Sequence, residues 1–96
     1  MNKIVFITGA SSGIGEATAH LFAKNNFSEI ITGRRAEHLT DLANVLREKY
    51  NTDILPISFD VRDQQAIETA IKALPENWKN ISVLVNNAGV MTPCDV

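Results

Sequence analysis

The chain has 96 residues, 45% of them hydrophobic, with 9 Lys and Arg against 11 Asp and Glu for a formal charge of −2. That length supports one small core and excludes a core plus a separate lobe, while the near-balanced charge supplies no field to attract nucleic acid or an anionic membrane, so an anion site has to be local. The single cysteine, Cys94, excludes an internal disulfide and suits a reducing compartment.

The apolar stretch after Met1-Asn2-Lys3, residues 4–7, is too short for a signal segment or a membrane span, and the expected location is the cytosol. Residues 3–8 are apolar and β-branched without alternation, the pattern of a strand covered on both faces, and Gly9 halts them. Ile14, Ala17, Leu21 and Phe22 then recur at helical spacing over residues 13–25 and predict a helix buried on those positions, closed by Asn25-Asn26. Residues 29–32 form a second strand ended by Gly33, and Leu39, Leu42, Ala43, Leu46 and Tyr50 mark the inner face of a second helix.

Residues 54–59 predict a third strand, in which Pro56 cannot donate to a ladder and so pushes the strand to a sheet edge. Asp63 begins a third helix with Ile67, Ala70, Ile71 and Leu74 inward, and Pro75 stops it. Residues 81–85 are the fourth and most continuously apolar strand. The β-α-β-α-β-α-β order implies parallel strands with right-handed crossovers. The expected fold is a partial Rossmann domain, α/β and doubly wound, with strand order 3-2-1-4 and three helices, truncated relative to a full domain. Its ligand would lie in the crevice at the carboxyl ends of strands one and four.

Between the first strand and helix stands Thr8-Gly9-Ala10-Ser11-Ser12-Gly13-Ile14-Gly15. Glycine permits a tight turn, lets a pyrophosphate approach the backbone, and allows helix and strand to pack closely; the anion then meets the unpaired amides and positive dipole end of the helix. Ser11 and Ser12 can add hydroxyl donors. An ordinary βα turn would use the same residues for geometry and capping, but the coincidence of strand, glycine triplet and helix is the nucleotide-binding pattern. The loop lacks the Gly-Lys-Ser/Thr ending that grips the terminal phosphates of a nucleoside triphosphate, which excludes the ATPase reading.

About twenty residues further on, where an NAD site places Asp or Glu on the adenosine ribose, the chain has Gly33-Arg34-Arg35. A carboxylate repels a 2′-phosphate, whereas a guanidinium forks onto it, so NADP is favoured over NAD. Solvated charges at a helix start are the bland alternative, although cations there oppose the helix dipole. The sequence does not say which arginine makes the contact.

Joined by Asp60-Val61 after the third strand and Asn86-Asn87-Ala88-Gly89 after the fourth, the Thr8-Gly9-x-x-x-Gly13-x-Gly15 loop resembles that of the short-chain dehydrogenase/reductases over almost the whole chain. The resemblance implies that Asp60 and Val61 hold the adenine edge and that Asn87, Ala88 and Gly89 border the ribose and nicotinamide. Thr32-Gly33-Arg34-Arg35, Phe59-Asp60-Val61-Arg62-Asp63 and Leu74-Pro75-x-x-Trp78-x-Asn80-Ile81 are similar to the NADP-dependent serine or 3-hydroxy acid dehydrogenase branch. That implies hydride transfer between NADP and a hydroxy or keto substrate such as serine, with Trp78 a packed cover before the fourth strand.

The family also uses a downstream Ser and a Tyr-x-x-x-Lys pair, the Tyr exchanging the proton. Here Tyr50 is followed four places later by Ile54, so no catalytic residue is assigned and the chain alone is expected to be inactive. His20 and His38 have no partner at ligand spacing, and no metal is expected. A bare apolar fourth strand predicts a weakly stable or aggregating fragment, with a homo-oligomer open only to a longer form. A non-catalytic NADP sensor is the rival reading, which a stable fold retaining dinucleotide affinity would favour. An S-adenosylmethionine domain shares the β-glycine-α start but wants an acidic residue for the ribose.

Overall fold

A computed structural model describes residues 2–10, 13–59 and 63–87. The chain runs β1 (Ile4–Thr8), α1 (Gly13–Lys24), β2 (Ser28–Gly33), α2 (Ala36–Tyr50), β3 (Ile54–Ser58), α3 (Gln64–Lys72), a 3-10 turn (Glu76–Trp78) and β4 (Ile81–Asn86). The four strands form one parallel sheet in the order β3-β2-β1-β4, as expected, with β3 and its Pro56 at an edge. Pro56 lies opposite Ile31 of β2 and leaves its donor-less side toward the rim.

Strand alternation sends side chains to two separate cores. On one face Val5, Ile7 and Ile31 meet Ala19 and Ala23 of α1 and Leu39, Leu42, Ala43 and Leu46 of α2. On the other, Ile4, Phe6 and Ile30 meet Leu74 and Trp78, with Ile71 of α3 packed against them. Trp78 is thus the buried cover its sequence position suggests. Asp63 caps α3, its carboxylate accepting from the amides of Gln65 and Ala66, and Asn51 ends α2 in the left-handed conformation at φ 54°.

Two expectations need correction. The buried residues of α1 are Gly15, Ala19 and Ala23, whereas Ile14 and Leu21 are 75% and 59% exposed and Ala17 is exposed as well. The helix approaches the sheet too closely for large side chains on its inner stripe, and only Phe22 of the predicted set packs on the core. In α3, Ile67, Ala70 and Ile71 are half-buried, and full burial falls to Leu74 beyond the helix end. In β4, Val83 and Val85 pack on the α1/α2 core, while Leu84 is 63% exposed among the described residues. A register shift between Ile4 and Val5 sets Ile81 on the opposite face from Val83, toward Trp78.

One buried group breaks the apolar pattern. Glu29, opposite Val5 on β2, is 0% exposed, and neither carboxyl oxygen has a hydrogen-bond partner among the described residues. Burial pushes its pKa from 4.5 up to about 8, so the side chain keeps its proton at neutral pH.

Candidate functional site

Because β2 and β4 flank β1 in a parallel sheet, the carboxyl ends of β1 and β4 lie side by side at the reversal of strand order, where an open α/β sheet places its ligand crevice. The chain leaves β1 through Gly9 at φ 66°, a left-handed turn that glycine adopts without strain. The amide of Ala10 then donates to the carbonyl of Thr32 at 2.8 Å, fastening the loop to the end of β2.

Two glycines open α1, and they do different work. A Cβ on Gly15 would lie 2.0 Å from the Gly9 carbonyl oxygen and 2.8 Å from the Ala10 Cα, so the helix crosses its own loop in backbone contact. A Cβ on Gly13 would meet nothing within 4 Å. The start of α1 at Gly13 therefore presents open space at the positive end of the helix dipole, a shape and polarity that suit a diphosphate.

Across the crevice, the buried Thr8 joins β1 to β4. Its hydroxyl donates to Asn86 Oδ1 at 2.8 Å and accepts from the Asn87 amide at 3.1 Å. The Asn87 Nδ2 is buried with no hydrogen-bond partner among the described residues, an N–H donor held at the rim. Thr8, Gly9, Gly15 and Asn87 are thus brought together, with Gly13 and Ile14 starting the helix beside them.

Arg34 and Arg35 are exposed at the end of β2. Their loop is held by the Phe59 amide, which donates to Gly33 at 2.9 Å, and by the Ser58 hydroxyl, which donates to the Arg34 carbonyl at 3.3 Å. Arg35 precedes α2 in an extended conformation without a side-chain cap bond, leaving its guanidinium uncommitted to the helix end. It lines a cavity of about 480 Å³ with Ala36, Glu37, His38 and Asp41. The remaining sequence-predicted positions, Ser11, Ser12, Asp60, Val61, Ala88 and Gly89, lie outside the described residues.

Sequence reasoning did not find the partners of the two histidines. His38 Nε2 donates to Glu16 Oε2 at 3.1 Å, and His20 Nδ1 lies 2.9 Å from the Tyr50 hydroxyl. Helical spacing places Glu16 and His20 on one stripe of α1 and His38 and Asp41 on one stripe of α2, but only the packing of the two helices makes them neighbours. Among the described residues no group of three or more His, Cys, Asp or Glu is arranged to hold a metal ion, and no helix is long and apolar enough to cross a membrane.

The short chain dehydrogenase family model matches residues 3–96. The chain belongs to the short-chain dehydrogenase family. It is 48% identical over 92 residues to sulfoacetaldehyde reductase 2 of Chromohalobacter salexigens, covering 94% of this chain and 35% of that protein. It is 46% identical over 90 residues to serine 3-dehydrogenase of Agrobacterium fabrum, covering 94% of this chain and 34% of that protein. The L-sorbose reductase of Gluconobacter frateurii, solved in complex with NADPH and L-sorbose, superimposes with a TM-score of 0.85 at 33% identity, over 92% of this chain and 34% of that one. The chain therefore spans about a third of the length of the curated relatives it matches.

Proposed function

We propose that residues 1–96 are the NADP-binding half-domain of an oxidoreductase that moves hydride between NADP and a small hydroxy or keto substrate. The observation that carries this reading is the arrangement at the carboxyl ends of β1 and β2: an unobstructed helix start at Gly13 stands beside a strand end that bears Arg34 and Arg35 and no carboxylate. Backbone amides from Gly13 onward would bind the diphosphate, with Ser11 and Ser12 adding hydroxyls and Gly9 and Gly15 setting the loop. Arg34 and Arg35 would take the 2′-phosphate. Asp60 and Val61 would hold the adenine edge, and Asn87, Ala88 and Gly89 the ribose and nicotinamide side.

The cofactor supplies the hydride acceptor or donor. What these residues contribute is position: Thr8 fixes the distance between the phosphate loop and the end of β4 through its hydrogen bonds to Asn86 and Asn87. The proton that accompanies hydride transfer needs an acid/base within hydrogen-bond reach of the substrate. Tyr50 is not that group, because it ends α2 at the amino end of the sheet and is bound to His20. Two relatives named for serine and for sulfoacetaldehyde support a small polar alcohol or aldehyde as substrate, with serine or another 3-hydroxy acid first among the candidates.

Titrating the chain with NADPH and NADH tests the reading. NADPH should bind at least about tenfold more tightly, since a guanidinium–phosphate contact contributes 1.4 kcal/mol or more, and the Arg34→Ala/Arg35→Ala double variant should erase the difference. Equal affinities would overturn the choice of cofactor, and absence of both would overturn the dinucleotide site. Mixed with NADPH and a keto acid, residues 1–96 should show no turnover.

A further inference from the structure

The cavity beside Arg35 has an unfavourable charge balance for an anion. Its lining sets one guanidinium against the carboxylates of Glu37 and Asp41. Behind it, a smaller cavity of about 140 Å³ is lined by Glu16, His20, His38, Asp41, Leu42 and Val45. His38 and Asp41 belong to both linings and so form the wall between them. Removal of the His38 ring would join the two spaces, and the Glu16 carboxylate in the first turn of α1 would then line the joined cavity as a third negative charge.

His38 occupies the first turn of α2 and holds Glu16 at 3.1 Å, both side chains being partly exposed. An imidazole N–H donated to a carboxylate holds that group turned away from the neighbouring cavity, and the bond links the two helices whose N-terminal ends would hold the diphosphate and the 2′-phosphate of the ligand. We propose that His38 is a specificity-determining residue for the phosphorylated dinucleotide, acting by engaging Glu16 rather than by touching the nicotinamide end. The inference rests on the NADP reading above and goes beyond it by assigning part of the selectivity to a pair that lies outside the glycine loop and the arginines.

Removal of His38 would free the Glu16 carboxylate to turn toward the 2′-phosphate, a penalty that NADH does not feel. Unit charges several ångströms apart near a protein surface interact strongly enough to change affinity roughly three- to tenfold. The test measures Kd for NADPH and NADH with the full chain and its His38→Ala, His38→Gln, His38→Arg, Glu16→Gln and His38→Ala/Glu16→Gln variants, each checked for fold by circular dichroism.

The His38→Ala chain should lose about three- to tenfold in NADPH affinity and less than about twofold in NADH affinity. His38→Arg should retain the wild-type preference, and Glu16→Gln should restore it in the double variant. If His38→Ala does not fold, the His38→Gln chain carries the comparison, with a loss of preference in the same direction. Equal weakening of both nucleotides would reduce His38 to a structural tie and overturn the proposal, as would a double variant no better than His38→Ala. A wild type that prefers NADPH while His38→Ala is unchanged removes this inference alone. A wild type that binds both nucleotides alike removes the NADP reading and this inference with it.

Discussion

Helix α1 meets the sheet through Gly15, Ala19 and Ala23, whereas α2 covers the same face with Leu39, Leu42, Ala43 and Leu46. The second helix follows the ordinary rule that large apolar side chains drive packing. The first gives up most of that area and gains proximity, because its N-terminus has to stand against the loop that leaves β1. Position is what the small residues of α1 secure, and stability is what the leucines of α2 secure.

The sharpest way to break this contrast is Gly15→Ala. The new Cβ meets backbone atoms of Gly9 and Ala10, which have no rotamer to move away, so a loss of at least about 3 kcal/mol or outright unfolding is expected in urea denaturation. Gly13→Ala is the control: its Cβ enters open space, so the fold should survive while NADPH affinity drops where the ligand would have used that space. On α2, Leu46→Ala should cost about 2–5 kcal/mol by the same measurement, the usual range for emptying a fully buried leucine site.

Beneath both helices, Glu29 should make stability depend on pH. Its folded pKa is raised to about 8 from an ordinary 4.5, so the unfolded chain releases the proton first. Its contribution is fully present below pH 4.5 and is lost as pH rises through about 8, amounting to a few kcal/mol over that window. Unfolding free energies measured from pH 5 to 9 should fall for the wild type and lose most of that slope in Glu29→Gln. The smallest effect belongs to Leu21→Gln, within about 0.5 kcal/mol, since Leu21 is 59% exposed. A large loss there would mean that α1 packs on the face its sequence first suggests.

That suggestion shows where sequence reasoning reaches its limit. Leucine spacing located α2 correctly because size and burial coincide there, and Pro56 placed β3 at an edge because a missing donor has only one comfortable position. In α1 the inner stripe is made of glycine and alanine, which carry little hydrophobic signal, so Ile14 and Leu21 drew the prediction to the wrong face. The turn at Gly9 and the close approach at Gly15 were legible because their geometry is local to a few consecutive residues. The Glu16–His38 and His20–Tyr50 pairs were not, since they join residues 22 and 30 positions apart through helix packing that no single periodicity encodes. Glu29 did leave a trace, as a lone carboxylate within a β-branched strand.

The bond from Thr8 to Asn86 reaches across 78 positions, and it has a consequence for biosynthesis. A ribosome adds roughly 5–20 residues per second, so β1 emerges seconds before the neighbour that will line its second edge. Throughout that interval a central strand of the finished sheet is an outer one, with its ladder groups bare. The nascent chain is then most exposed to mispairing and most in need of a chaperone, and the crevice itself cannot exist until translation has passed β4.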